Sequence, residues 1–301
     1  MMQNAIVQAV TLFILLMVGM LCGKLKYCTP EVRRNLSSIL LFITTPAMIL
    51  EAFQFEYSTE VLANMGFVAV ISMAVMLVAY FISTVIFKKT KEDLRKVLVY
   101  AVTFSNVGFL GLPLLQGILG DIGVIYGSVY VATFNILTWT LGISIWTGEG
   151  ASLKNIVTNP TLISIAIGLV MFCFSLKFPT ILAKPIGMLA DCNGPMSMIV
   201  VGAILAECNL VDMFRDKMLY AFTGMRLLLI PLIAFAVCMA LRLPTEVSAV
   251  LVLASGTPTA VNTAIFATRY NGREKFASLA VALSTLLYLP VVPLWTWLLG
   301  I

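Results

Sequence analysis

The stretch "TFSNVGFLGLPLL", residues 103–115, decides how this chain is read. It lies inside a long apolar segment, yet carries Gly108, Gly111, Pro113 and the adjacent Ser105-Asn106 pair well away from either end. Each of these lowers helix propensity, and proline also removes a backbone donor. In hydrocarbon no water satisfies the polar groups that a broken helix releases. Such a break must be buried in protein or face an aqueous cavity.

Composition places the stretch in a membrane. The chain has 301 residues, of which 60% are hydrophobic and 11% charged, with a mean hydropathy of +1.02. A soluble protein of this length needs more polar surface than that supplies, so the chain reads as an all-α polytopic membrane protein. Hydropathy and breakers predict ten spans: 4–24, 33–53, 62–87, 94–119, 122–147, 159–177, 180–207, 216–240, 246–268 and 275–300. The first, "NAIVQAVTLFILLMVGMLCGK", has no basic region before it and no small-residue cleavage site after it. It reads as a retained span.

Lys and Arg set the expected orientation. Lys24, Lys26, Arg33, Arg34, Lys88, Lys89, Lys91, Arg95, Lys96, Lys154, Arg215, Lys217, Arg269, Arg273 and Lys275 fall on one side, against Lys177, Lys184 and Arg242 on the other. The positive-inside rule makes the first side cytoplasmic and puts both termini outside a cell membrane. These charges interleave with Glu92, Asp93, Asp212, Asp216 and Glu274, so they read as topology signals and no nucleic-acid partner is expected. Histidine is absent and none of the six cysteines forms a CxxC pair. His-dependent hydrolysis and zinc chemistry are thereby disfavoured, and HExxH, GxSxG and Walker motifs are missing. The chain is not expected to be an enzyme or to carry a cofactor.

The two halves resemble each other. "KVLVYAVTFSNVGFL" (96–110) lies against "AVLVLASGTPTAVNT" (249–263) at an offset of 153, sharing a V-L-V opening and losing helix-favouring residues at the same depth. "LLFITTPAMIL" (40–50) answers "MLADCNGPMSMIV" (188–200), each with a mid-span proline. This predicts a five-span repeat over 1–147, a short cytoplasmic linker at 148–158 and an inverted repeat over 159–301. Interrupted helices at matching positions of such repeats mark transporter binding sites.

The expected breaks at Pro46 and at Gly194-Pro195 bend spans two and seven. Those in spans four and nine lie near the bilayer centre. There two half-helix N-termini, each worth roughly +0.5 charge, would face the midplane from opposite sides and hold an anion without a basic side chain. Asn106 and Asn262 are candidates to bind substrate or to cap the half-helices, with Ser105, Gly108, Pro113, Thr257, Pro258 and Thr259 around them.

At these residues the sequence resembles the auxin efflux carrier family, over nearly the whole chain. "NVGFLGLPLL" (106–115) resembles its fourth-span crossover, "ASGTPTAVNTAIFATRYN" (254–271) its ninth-span crossover, and "TTPAMIL" (44–50) its second-span motif. The resemblance implies a ten-helix carrier with crossed broken helices four and nine, as in bile-acid symporters. It implies a scaffold of spans 1, 2, 6 and 7 and a transport domain of spans 3–5 and 8–10, moving like an elevator, usually in a homodimer. It implies organic anions or weak acids as substrates, with the crossover asparagine, here Asn106, and the segment around Pro258 at the carboxylate. The long cytoplasmic loop of many plant members is absent.

Asp191, beside the Gly194-Pro195 break, is a candidate for a coupling Na+ or H+, or else a structural cap or ion-pair partner. Arg226 reads as snorkelling to the cytoplasmic face in preference to reaching the core. Glu51, Glu56 and Glu60 read as a solvated rim. Tyr100, Tyr126, Tyr130 and Tyr288 read as packing, and Trp139, Trp146, Trp295 and Trp297 as interfacial anchors. The leading reading is a secondary transporter of a small organic anion. Alternatives are a sodium-coupled symporter of the bile-acid type and, from another class, a channel or receptor.

Overall fold

The computed structural model describes residues 2–148, 153–208, 210–270 and 272–301. Among them every regular element is a helix, and extended chain pairs only at one isolated bridge, Ser105 with Thr259. The elements are α1 (Met2–Lys24), α2 (Pro30–Ala52), α3 (Thr59–Ile86), α4 (Glu92–Thr103), α5 (Val107–Leu119), α6 (Asp121–Thr147) and α7 (Leu153–Val157). There follow α8 (Pro160–Cys173), α9 (Thr180–Ala206), α10 (Leu210–Arg215), α11 (Lys217–Leu241), α12 (Thr245–Ser255), α13 (Asn262–Arg269) and α14 (Glu274–Leu299).

Six of these, α1, α2, α3, α6, α9 and α11, are long and apolar enough to cross a membrane. A seventh, α14, bends by 53° where Pro290 begins its last segment. The chain is a polytopic membrane protein. The expected fourth and ninth spans are each two helices, α4 with α5 and α12 with α13. The expected linker at 148–158 includes residues 149–152, outside the described residues, and its end is the short helix α7.

Prolines shape the long helices in one recurring way. Wide π turns at Leu40–Thr44, Val107–Gly111 and Met225–Leu229 each end two residues before a proline, at Pro46, Pro113 and Pro231. Proline lacks the N–H for its i−4 carbonyl and crowds it, and a π turn relieves both faults without opening the helix. The expected break at Pro46 is therefore a widened turn in a continuous helix. Gly194 and Pro195 fall in the first turn after a kink between Asp191 and Asn193.

Two contacts organise the periphery. A Cβ added to Gly202 of α9 would lie 2.1 Å from the Leu16 carbonyl oxygen of α1, and one on Gly19 would lie 2.5 Å from that of Ile199. Backbones approach this closely in membranes only where glycine removes the side chain. At the kink, the buried Asn193 Nδ2 donates to Thr44 Oγ1 at 3.1 Å and Thr45 Oγ1 at 2.8 Å, joining α9 to α2 beside Pro46. At the centre the pattern inverts: Val97–Thr103 of α4 and Val247–Ser255 of α12 are buried without exception. Helices apolar on all sides belong inside the protein, which keeps their ends away from lipid.

Candidate functional site

The ends of α4 and α12 cross. Beyond Thr103 and Ser255 the chain extends, and the two stretches run antiparallel. Asn106 N–H donates to the Pro258 carbonyl at 2.7 Å, and Ala260 N–H donates to the Phe104 carbonyl at 3.0 Å. Pro258 has no N–H to offer, and only its carbonyl is needed here. Thr259 N–H, on the outer edge, is met by Ser284 Oγ of α14 at 3.3 Å. The residues at the centre of the bridge, Ser105 and Thr259, sit at an offset of 154, one more than the shared V-L-V openings give.

The C-terminal ends of both inner helices converge on one side chain. Arg226, on the π turn of α11, is 1% exposed. Its Nη1 donates to the Val102 carbonyl at 2.7 Å, its Nε to the Thr257 carbonyl at 2.9 Å and its Nη2 to the Ser255 carbonyl. Helix C-termini leave carbonyls without intrahelical donors and carry partial negative charge. A guanidinium, with several donors in a rigid fork, satisfies both helices at once. Snorkelling, the expectation for this residue, is overturned, because the unpaired carbonyls offer more than the distant interface does.

The N-terminal ends face the other way. The Asn106 carbonyl accepts from Leu110 N–H at 3.1 Å and Gly111 N–H at 3.2 Å, opening α5 as a π turn. Its side chain makes no cap bond. Asn106 is 5% exposed, and its Nδ2 has no hydrogen-bond partner. A Cβ added at Gly108 would meet nothing within 4 Å, so the first turn of α5 borders open space. Val261 and Asn262, at the start of α13, are half-buried. Asn262 is the first residue of that helix and Val261 its cap.

The other candidates occupy distinct places. Thr257 and Thr259 are fully buried, with hydroxyls bonded to the Ala254 carbonyl at 2.9 Å and to Thr263 Oγ1 at 3.0 Å, and so hold the crossing itself. Ser105 lies in the bridge. Pro113, one turn into α5, accepts from Gln8 Nε2 of α1 at 3.0 Å, and its Cβ lies 3.6 Å from where a Gly194 Cβ would stand. Asp191 is exposed at the end of the first α9 segment, and no salt bridge involves it among the described residues.

A cavity of about 810 Å³ leads to the start of α13. Val261, Ala264 and Thr268 line it, together with Arg33, Arg34, Ser37 and Glu207. Arg33 pairs with Glu207 at 2.8 Å in its lining. Outside the spans, the Arg273 guanidinium 2.8 Å from Asp93 holds that carboxyl below the usual range, and burial pushes the Cys208 thiol up to about 11. Towards the opposite end of α1, a glutamine packs against α5. Gln8 lies about 24 Å along α1 from Lys24 at helical rise, and its side chain rests where a Gly117 Cβ would be.

The roles of two residues of consequence escape sequence reading. Arg226 and Asn193 act on partners remote in sequence, and only the rarity of a charge or amide at that depth marks them. Trp146 and Trp295, expected at an interface, are buried. Trp146 packs on Tyr100 and Tyr270, and Trp295 Nε1 donates to the Leu227 carbonyl at 3.1 Å. Trp297 is exposed as expected, and Tyr100, Tyr126, Tyr130 and Tyr288 are buried packing residues.

A family profile described as membrane transport protein matches residues 4–157 and 150–296. An uncharacterised transporter of Methanocaldococcus jannaschii is 26% identical over 305 residues, covering 95% of this chain and 96% of its own. An uncharacterised transporter of Escherichia coli K12 is 22% identical over 303 residues, covering 95% of both. Auxin efflux carrier component 2 of Arabidopsis thaliana is 26% identical over 172 residues, 56% of this chain and 25% of that protein.

Proposed function

Because the chain belongs to the membrane transport protein family that includes the auxin efflux carriers, we propose that it is a secondary carrier for a small organic anion, held at the crossing. One observation carries this reading. The half-helix N-termini of α5 and α13 leave the same crossing, and the buried Asn106 Nδ2 beside them has no partner in the protein. A carboxylate supplies the acceptor that an amide donor and first-turn N–H groups lack.

The architecture proposed is ten spans in a 5+5 inverted repeat, α4/α5 and α12/α13 being the interrupted fourth and ninth. The near-dyad exchange of hydrogen bonds at the crossing supports it. In this reading α1, α2, α8 and α9 form the scaffold, and α3–α6 with α11–α14 form a transport domain that slides past it as an elevator in a homodimer of the cell membrane. Both termini lie outside, which makes the 810 Å³ cavity a cytoplasmic vestibule. The close α1–α9 contact gives a rigid wall against which such a slide occurs. Coupling through Asp191 stays a separate proposal, and a sodium-dependent thermal shift that disappears in Asp191→Asn is the result that would support it.

The test is binding by purified protein. Thermal-shift titration with benzoate, lactate, malonate and malate is expected to show saturable protection by at least one carboxylate. Asn106→Ala should abolish that protection while unfolding within a few degrees of the parent. Full protection of Asn106→Ala removes the crossing as the site.

A further inference from the structure

The charge at the crossing does not balance without a ligand. Two half-helix C-termini bring roughly one negative charge, and two N-termini roughly one positive charge. Carriers built on discontinuous helices use the C-terminal carbonyls to coordinate a coupling cation. Here those carbonyls, from Val102, Ser255 and Thr257, are taken by the Arg226 guanidinium. Arg226 is the one charged side chain that is fully buried among the described residues. The aromatic rings flanking it, Tyr130 and Tyr288, are buried too. Among the described residues no carboxylate pairs with it.

Resting on the reading of the crossing as an anion site, we propose that Arg226 is a built-in counter-cation. It occupies the place of a coupling cation and sets the substrate as a singly charged anion, such as a monocarboxylate. The guanidinium cancels the C-terminal ends, and what remains is the positive charge of the two N-termini. One carboxylate neutralises it. A dianion would leave a net negative charge in a desolvated site, which burial penalises. The same balance makes the loaded transport domain neutral and the empty one positive, so only the empty domain's return senses membrane voltage.

Three arms test this. In the parent, benzoate or lactate should protect equally in sodium chloride and in choline chloride, at concentrations about tenfold below malonate or malate at pH 8. Arg226→Lys, which keeps the charge, should retain protection. Arg226→Gln should lose protection in choline and regain it in sodium, because the vacated carbonyls then take the ion. Parent protection that needs sodium overturns the proposal, as does protection by dicarboxylates at equal or lower concentration. Unchanged, sodium-independent protection of Arg226→Gln also overturns it. If that variant fails to fold, the salt and charge preferences of the parent and of Arg226→Lys decide. Loss of protection in Asn106→Ala with none in Arg226→Gln sinks the charge inference alone, whereas full protection of Asn106→Ala sinks the site.

Discussion

Asn193 is a buried amide that supports helices other than its own. It is 1% exposed and gives its Nδ2 to two threonine hydroxyls of α2. Removing a donor from buried acceptors costs about 1–3 kcal/mol, so Asn193→Ala should lower the melting temperature by several degrees. Asn193→Asp should be worse, because it places a carboxylate in the same dry position. An Asn193→Ala protein that melts with the parent would show that the two hydroxyls are satisfied within their own helix. Cys208, just beyond the far end of α9, gives a pH-dependent readout. Its thiol is pushed up to about 11 by burial, and only the thiolate reacts. In a variant keeping Cys208 alone, alkylation should therefore climb about tenfold per pH unit from 7 to 9 and not level off near 8.5. A plateau below pH 9 would mean the thiol is solvated.

At the scale of elements, the contact of α1 with α9 depends on missing side chains. Gly202→Ala pushes a methyl against the Leu16 carbonyl, where 2.1 Å is available. Overpacking of this kind costs about 1–3 kcal/mol, read as a lower melting temperature. Gly66→Ala on α3 is the control, with nothing within 4 Å of the new methyl, and should be neutral or stabilising by up to about 1 kcal/mol. The half-helix breaks were legible in sequence because part of their cause is local: Gly108 and Gly256 lower helix propensity beside the crossing, and Pro258 has no N–H with which to continue α12. The register of the crossing was not legible, since an alignment of helices says nothing of the turn between them. Nor could sequence show that Pro46 widens a helix while Pro258 ends one. That difference comes from neighbours. Pro46 sits in a packed stretch stitched by Asn193, and Pro258 in a stretch whose bonds go to another chain segment. Arg226 was misread for the same reason, because its partners are carbonyls contributed by three separate positions.

For the whole molecule, the proposed elevator has the crossing open to one side at a time. The vestibule reaches Ala264, while at the far end Gln8 of α1 covers Gly117 of α5. An elevator requires α5 to slide along α1, which parts these two residues in the outward state. The Gln8 Cγ lies 2.4 Å from the position of a Gly117 Cβ. One bond further back, the two β-carbons stand at most about 3.9 Å apart, within the range of a disulfide. In a background without other cysteines, Gln8→Cys with Gly117→Cys should therefore cross-link on oxidation. The locked protein should still bind carboxylate, since the vestibule stays open, and Ala264→Cys added to it should, once the bridge has formed, still react with impermeant reagents from the cytoplasmic side. Transport in proteoliposomes should fall to background and return on reduction. Transport that persists with the bridge intact would mean that α1 and α5 move together. The sliding surface would then have to lie elsewhere in the bundle.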